Sequence, residues 1–473
     1  MELTLIGREP RVFDGPRLPA DATVLAELTA QVADADLAAP PVVLPDFHHK
    51  STMELPSSVA VATAGTIRPT LTSASVNCGM ALLALDCERP GVAGVIEFYR
   101  RVRERYPYPA RNLRELSTHE VRRAAVEGSY FAAERFEVDA GELARVEEFG
   151  RLDLDRYGGA DRLARELPSL AYQLARLRFG TVGPSNHFVE LQVVEEVFDP
   201  RAAELLGVRQ GQLTLQYHAG GGVLTGEIGA LFGRRKHYPR HLRMAMAVQK
   251  PLYHLATARS YRQLRERLAL YFTDGCPPVS RDSEEGQRLM LANAAAMNYG
   301  FAFRTATYAA LKKIAATVFG GTGGRLVVDS PHNSIYEEEV GDRTAVVHRH
   351  NSCRAFPAER CAPGTVFAET GQAVLLPGTS RTSSYLAVAG PKAEASLHSA
   401  CHGAGTLVAD FAEKGLSAEH PDGHETLRFG YDGAAAVRVR HFDDNGVNAA
   451  LGVLVDHGLV RPVARLRPLA VLN

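Results

Sequence analysis

The chain has 473 residues, 45% hydrophobic and 23% charged, with a formal net charge of −1. That balance describes a globular protein with material for a large core, and it excludes attraction of the whole molecule to polyanions, so nucleic acid must meet a local basic patch. No apolar run approaches a membrane span, and the six cysteines, at 78, 87, 276, 353, 361 and 401, form neither a CxxC pair nor a disulfide framework.

The opening MELTLIGREP lacks a basic-then-apolar leader pattern, so the expectation is a cytoplasmic protein with reduced thiols and no membrane contact. Residues 41–88 are rich in Val, Thr, Ala and Gly in short runs, which predicts buried strands and turns. Two basic runs stand out, YRRVRERY (99–106) and GRRKHYPRHLR (233–243). Each reads equally as a solvated face or as a nucleic-acid patch. Residues 140–178 predict helix, and 180–230 return to short β-like runs. The sharpest helix is 284–318: Asp282 or Ser283 caps its start, Glu284 and Glu285 suit the positive end of its dipole, and GGTGG stops it. Residues 325–389 are again strand-like. Beyond His402 come one helix-like stretch and a mixed tail. Strands and helices interleave with no βαβ period and no break in composition. This predicts an α+β fold in which residues 1–473 form a single large mixed domain, its β-sheets flanked by helices.

Four β-rich segments each place a metal-capable side chain beside Asn, Gly or Pro. They are Cys78 in SVNCGM, His187 in PSNHFVELQ, His218 in QYHAGGG and His332 in DSPHNS. One thiolate and three imidazoles suit a borderline transition ion such as Zn2+, Mn2+ or Fe2+ better than Ca2+ or Mg2+. Spacing alone does not bring the four together, and each imidazole taken singly reads more readily as a hydrogen-bonded core or edge residue than as a ligand. A fifth segment, SACHGAGT, surrounds His402 with small residues, an arrangement that clears room for a large substrate.

Taken in order, PDFHH (45–49), NCGM (77–80), GPSNHFVELQ (183–192), EEGQRLMLANAAAMNYGFAFR (284–304), DSPHN (329–333), VHRHNSCRAFP (347–357), LLPGTSRTSSY (375–385), CHGAG (401–405) and VARLRPL (463–469) resemble the RtcB family of RNA-splicing ligases. These are GTP- and manganese-dependent enzymes. The resemblance implies a fold and a chemistry. His402 would attack the α-phosphorus of GTP and carry GMP. The enzyme would then join RNA 3′-phosphate or 2′,3′-cyclic phosphate ends to 5′-hydroxyl ends. Cys78 would bridge two metals as thiolate, with His218 and His332 completing one site and His187 serving the other. Ligand types alone allow Zn2+; one or two Mn2+ ions come from the family. Asn186 and Glu190 would contact the nucleotide, Thr379 and Ser384 lie in the loop that holds the guanylate, Ala404 lies beside it, and Tyr431 would stack on the guanine. RNA ends and GTP are the implied partners, and the oligomeric state is left open.

Four positions depart from the family pattern. Ser75 stands where the family has a metal-binding Asp, Gly222 and Thr406 where it has arginines, and Asn473 where it ends in Lys-Gly with the lysine reaching the guanine. The expectation is one tight metal and one weak or absent one, a weaker grip on phosphate, and open base selectivity, as in a divergent paralogue. Asp46 is a candidate replacement carboxylate. Besides the ligase, two classes stay open: a non-ligating, regulatory binder of RNA ends, and a metal-dependent phosphoesterase.

Overall fold

The computed structural model describes residues 8–87, 90–108, 115–177, 179–183, 186–238, 240–321 and 323–473. The first seven residues of the opening stretch, and Pro184 and Ser185 of GPSNHFVELQ, lie outside them. The architecture is α+β, as the sequence predicts. Among the described residues no helix is long and apolar enough to cross a membrane.

Two sheets carry the site. The larger, of nine strands, runs Ala373–Leu376, Ser384–Ala389, Val460–Leu472, Phe188–Val197, Leu213–Ala219, Gly79–Ala84, Arg325–Pro331, with Glu425–Phe429 and Val437–Arg440 added at its side. Neighbours along that path are antiparallel. Alternation along Leu213–Ala219 sorts its side chains. Leu213, Leu215, Tyr217 and Ala219 enter the main core, which leaves Thr214, Gln216 and His218 on the opposite, polar face. Gln192 extends that face on the next strand, bonding Gln216 at 3.1 Å and Thr214 at 3.3 Å.

The smaller sheet runs Arg11–Val12, Val42–Val43, Val59–Thr63, Arg343–His350, Asn333–Val340. The chain passes from one sheet to the other at a single residue. Arg325–Pro331 belongs to the larger, Asn333–Val340 to the smaller, and His332 is the joint between them.

The long helix spans Glu284–Phe319, with the Ser283 hydroxyl accepting from the Gly286 N–H at 3.0 Å and Gly320 at φ 83 ending it. It fixes the turn before Gly79–Ala84. Gly300 has no side chain to obstruct Asn77, whose Cβ lies 2.6 Å from where a Gly300 Cβ would stand. Arg304, fully buried, donates to the Asn77 carbonyl and pairs with Asp329 at 2.7 Å.

Three expectations need correction. Residues 140–178 are helical only in pieces, Ala140–Arg145, Glu147–Gly150, Asp155–Tyr157, Gly159–Glu166 and Ser169–Ala175. Left-handed backbone at Glu148, Phe149, Gly150, Gly158 and Gly159 breaks the run. Within 180–230, Gly222–Leu231 is a helix. The mixed tail is the strand Val460–Leu472, which sits inside the larger sheet. Of the two basic runs, 99–106 is a solvated face: Arg100 and Arg101 pair with Glu97, Arg100 also with Glu104, and Arg105 with Glu115.

Candidate active site

Cys78, His218 and His332 converge, with one ligand atom of each within 4.8 Å of the others. Cys78 Sγ lies 3.2 Å from His218 Nε2 and 3.6 Å from His187 Nε2. The His218 Nδ1–H donates to the Asn186 carbonyl at 2.7 Å, an outer contact that fixes the ring and turns the Nε2 lone pair toward the thiol. His332 is held by its own backbone, its N–H donating to the Cys78 carbonyl at 2.9 Å and its carbonyl accepting from Ser352 at 3.0 Å.

His402 follows the short strand Ser399–Cys401 and precedes the helix Gly405–Glu413. Its ring stands edge-on to His332 with centroids 3.8 Å apart, and 5.7 Å from His218. Burial, with the charges of Lys50 and His48 nearby, lowers the His402 pKa to about 3, so the imidazole is neutral. Burial also holds His218 and His332 well below the ordinary histidine range, each neutral and able to offer a lone pair. It pushes the Cys78 thiol up to about 12, so a thiolate here needs a cation beside it.

The donor set fits a transition metal. Two imidazoles and a thiol meet within coordinating reach of one ion. His332 Nδ1 and His402 Nε2 are buried without a hydrogen-bond partner among the described residues, a costly state that a metal or a phosphoryl group relieves.

His218, His187 and His402 bring the edge of this group to a cleft of about 400 Å³, with Cys78 and His332 behind them. Asn186, His187, Glu190, His218, Thr379 and His402 line it, together with Asp46, His48, Lys50, Arg428 and Asn473. Ser384 and Ala404 act one layer back, from different segments, on the loop that begins at Pro377. The Ser384 hydroxyl accepts from Gly378 N–H at 3.1 Å, and the Ala404 N–H donates to the Pro377 carbonyl at 3.1 Å. Tyr431 is not brought to the cleft; its ring is 6.0 Å from Tyr108, packed against the main core. Lys50 and Arg428 are cleft residues the sequence reading missed. Lys50 directly follows PDFHH, but no spacing rule marks Arg428.

A sequence model of the RtcB family, described as tRNA-splicing ligase RtcB, matches residues 29–473. The chain belongs to the RtcB family. It is 32% identical over 70% of its length to the tRNA-splicing ligase RtcB of Pyrococcus horikoshii, and spans only 36% of that relative. The RNA-splicing ligase RtcB of Mycobacterium tuberculosis is 29% identical over 86% of the chain and 90% of the relative. The tRNA-splicing ligase RtcB of Thermococcus kodakarensis is 26% identical over 91% and 86%.

The departures from the RtcB pattern now have places. Ser75 hydrogen-bonds the Cys78 thiol, and its hydroxyl and the His187 ring both face Gly220. Asp46 stands elsewhere, accepting from the Leu407 N–H at 3.2 Å at the start of Gly405–Glu413, so it does not replace Ser75 as a third ligand beside His187. Ser75→Asp is therefore expected to raise the affinity for an ion at Cys78 and His187, read as extra bound metal per chain after dialysis against Mn2+. An unchanged metal content counts against that placement. Gly222 opens its helix at φ 82, and a Cβ there would meet the Tyr299 ring at 2.6 Å. Thr406 is exposed at the cleft rim, its hydroxyl 3.4 Å from His48 Nε2. Asn473 accepts from Arg428 Nε at 3.0 Å.

Glu190 carries a pH signature. Burial raises its carboxyl to about 8, opposed only by the Gln192 amide 2.7 Å away. Because the folded-state value is raised, its stabilising contribution is complete below the usual carboxyl range and is lost as pH rises through about 8. In metal-free protein, Glu190→Gln is expected to raise Tm at pH 9 and to change it little at pH 5. Equal shifts at both values would contradict this.

Proposed function

We propose that residues 1–473 act as one RNA-ligase unit that transfers a nucleotide through His402. The neutral Nε2 attacks the α-phosphorus of GTP, the bond to the β-phosphate oxygen breaks, and pyrophosphate leaves. GMP then passes from the ring to an RNA 3′-phosphate, and a 5′-hydroxyl displaces GMP to seal the strand, a 2′,3′-cyclic end being opened first. The observation that carries this reading is the buried, unpartnered Nε2 of His402 on a ring 3.8 Å from His332, facing the Cys78 cluster.

Cys78, His218 and His332 would hold Mn2+, a set that also admits Zn2+, with Cys78 and His187 left for a second ion. A metal there supplies a Lewis acid for the charge that develops on phosphate. The chain does the rest. Asn186, Glu190 and Thr379 bound the space for the nucleoside, while Ser384 and Ala404 hold the loop that carries Thr379. Lys50 and Arg428 bring positive charge into the cleft that lacks the two family arginines. The strand leading to the RNA end has a second basic surface in a groove of about 980 Å³ lined by Lys236 and Arg243, which have no ion-pair partner among the described residues. Arg235, in the same run, is buried and bonds the Thr72 carbonyl at 2.6 Å.

Incubation with Mn2+ and α-labelled GTP is expected to leave acid-labile label on the protein, and 3′-phosphate and 5′-hydroxyl RNA ends to be joined. Absence of label with all four nucleotides overturns the proposal. The closed Gly222 position favours one second reading, a binder of RNA ends that does not ligate. Tight binding of such ends without label or joining selects it.

A further inference from the structure

Away from the cleft, His420, Asp422 and His424 form another group whose ligand atoms lie within 4.8 Å of one another. The pentapeptide His420-Pro421-Asp422-Gly423-His424 folds to make this so. The Gly423 N–H donates to the His420 carbonyl at 3.1 Å, closing a four-residue turn with Pro421 second and Gly423 at φ 62. The reversal brings the two imidazoles side by side, rings 5.3 Å apart and 19° from parallel. The turn is pinned at both ends to one residue: His420 N–H donates to the His441 carbonyl at 2.9 Å, and His441 N–H to the His424 carbonyl at 3.0 Å. Asp422 Oδ2 is 3.8 Å from His420 Nδ1.

His424 Nδ1 is buried and has no hydrogen-bond partner among the described residues. A ring nitrogen left this way costs free energy unless its lone pair meets a cation or its proton meets an acceptor. We propose that His420, Asp422 and His424 bind a borderline divalent transition ion of the Zn2+ type, separate from the Cys78 cluster. Two imidazole nitrogens and one carboxylate oxygen favour such an ion over Ca2+ or Mg2+. His441 lies outside this group, its Nε2 bonded to the Thr426 hydroxyl at 2.6 Å; His420 Nδ1 accepts the Asp422 N–H at 3.3 Å, which leaves its Nε2 to ligate. The remaining position is open to water.

The turn is coupled to the cleft by its anchor. His441 lies between Arg440 and Phe442, and both hold Arg381. The Arg381 Nε–H donates to the Arg440 carbonyl at 2.9 Å, the Phe442 N–H donates to the Arg381 carbonyl at 2.8 Å, and the guanidinium lies 3.5 Å over the Phe442 ring. The Arg381 N–H in turn donates to the Thr379 hydroxyl at 3.1 Å, and Thr379 and Ser380 line the cleft. An ion at the turn fixes the backbone at His441 and so steadies the loop beside the nucleotide space. Its role is a clasp, not chemistry.

The test uses the full chain and metal ions alone. Co2+ bound at Cys78 gives a thiolate charge-transfer band, which reports on the cleft cluster independently. Wild-type protein is expected to retain one more equivalent of Zn2+ after dialysis than the His420→Ala/His424→Ala protein, with the thiolate band the same in both. His424→Gln, which keeps the turn and a polar side chain, is expected to weaken Zn2+ binding by roughly tenfold or more. Equal Zn2+ content in wild type and the double variant overturns the proposal, as does unchanged affinity in His424→Gln. Loss of the thiolate band in wild type speaks against the cleft metal and leaves the count at the turn to stand or fall separately.

Discussion

His402→Ala is expected to abolish covalent capture of the nucleotide while the protein still binds Mn2+. The change removes the ring nitrogen proposed as the nucleophile, yet leaves Cys78, His218 and His332 with their own supports: the Asn186 carbonyl on His218 and the backbone bonds that hold His332. Deleting a nucleophile costs on the order of 10⁴-fold or more in rate. Labelling with α-labelled GTP and metal analysis on the same preparation read the two halves. Cys78→Ala gives the complementary result, loss of metal and label together. Label that persists in His402→Ala puts the nucleophile elsewhere.

Restoring the family's arginine at Gly222 is expected to damage the fold, not to recover phosphate binding. At φ 82 any side chain is strained, and a Cβ would enter the space of Tyr299 at 2.6 Å and Phe303 at 2.9 Å. Left-handed strain and overpacking together cost about 3 kcal/mol, read as a lower denaturant midpoint. Thr406→Arg is the control, because that side chain is exposed at the mouth of the cleft. It is expected to fold normally and to tighten binding of RNA 3′-phosphate ends. A Gly222→Arg protein with unchanged stability would show that the helix start shifts to make room.

Local chemistry was legible in the sequence, and long-range placement was not. The cap and stop of Glu284–Phe319 were plain because Ser283, the acidic first turn and Gly320 act within a few residues. The strand Val460–Leu472 read as a tail because Pro462 and Pro468 interrupt it. The ladder absorbs the second through a register shift between Pro468 and Ala470, while Arg465 and Arg467 find Glu195 across the pair. Residues 140–178 kept helical composition but broke where consecutive residues adopt left-handed backbone, a choice set by tertiary contacts. The convergence of Cys78, His218 and His332 could be read only through the family, since three separate strand ends supply them. Lys50 and Arg428 share the cleft through folding alone.

The position of Val460–Leu472 also sets an order of events. It is hydrogen-bonded to Ser384–Ala389 on one side and Phe188–Val197 on the other, so the path of the larger sheet is in two halves until this segment slots between them. Pairings across such separations form slowly. Until that segment pairs on both sides, the two halves that back the cleft are not joined, and its floor and the loop of Thr379 stay unregistered with each other.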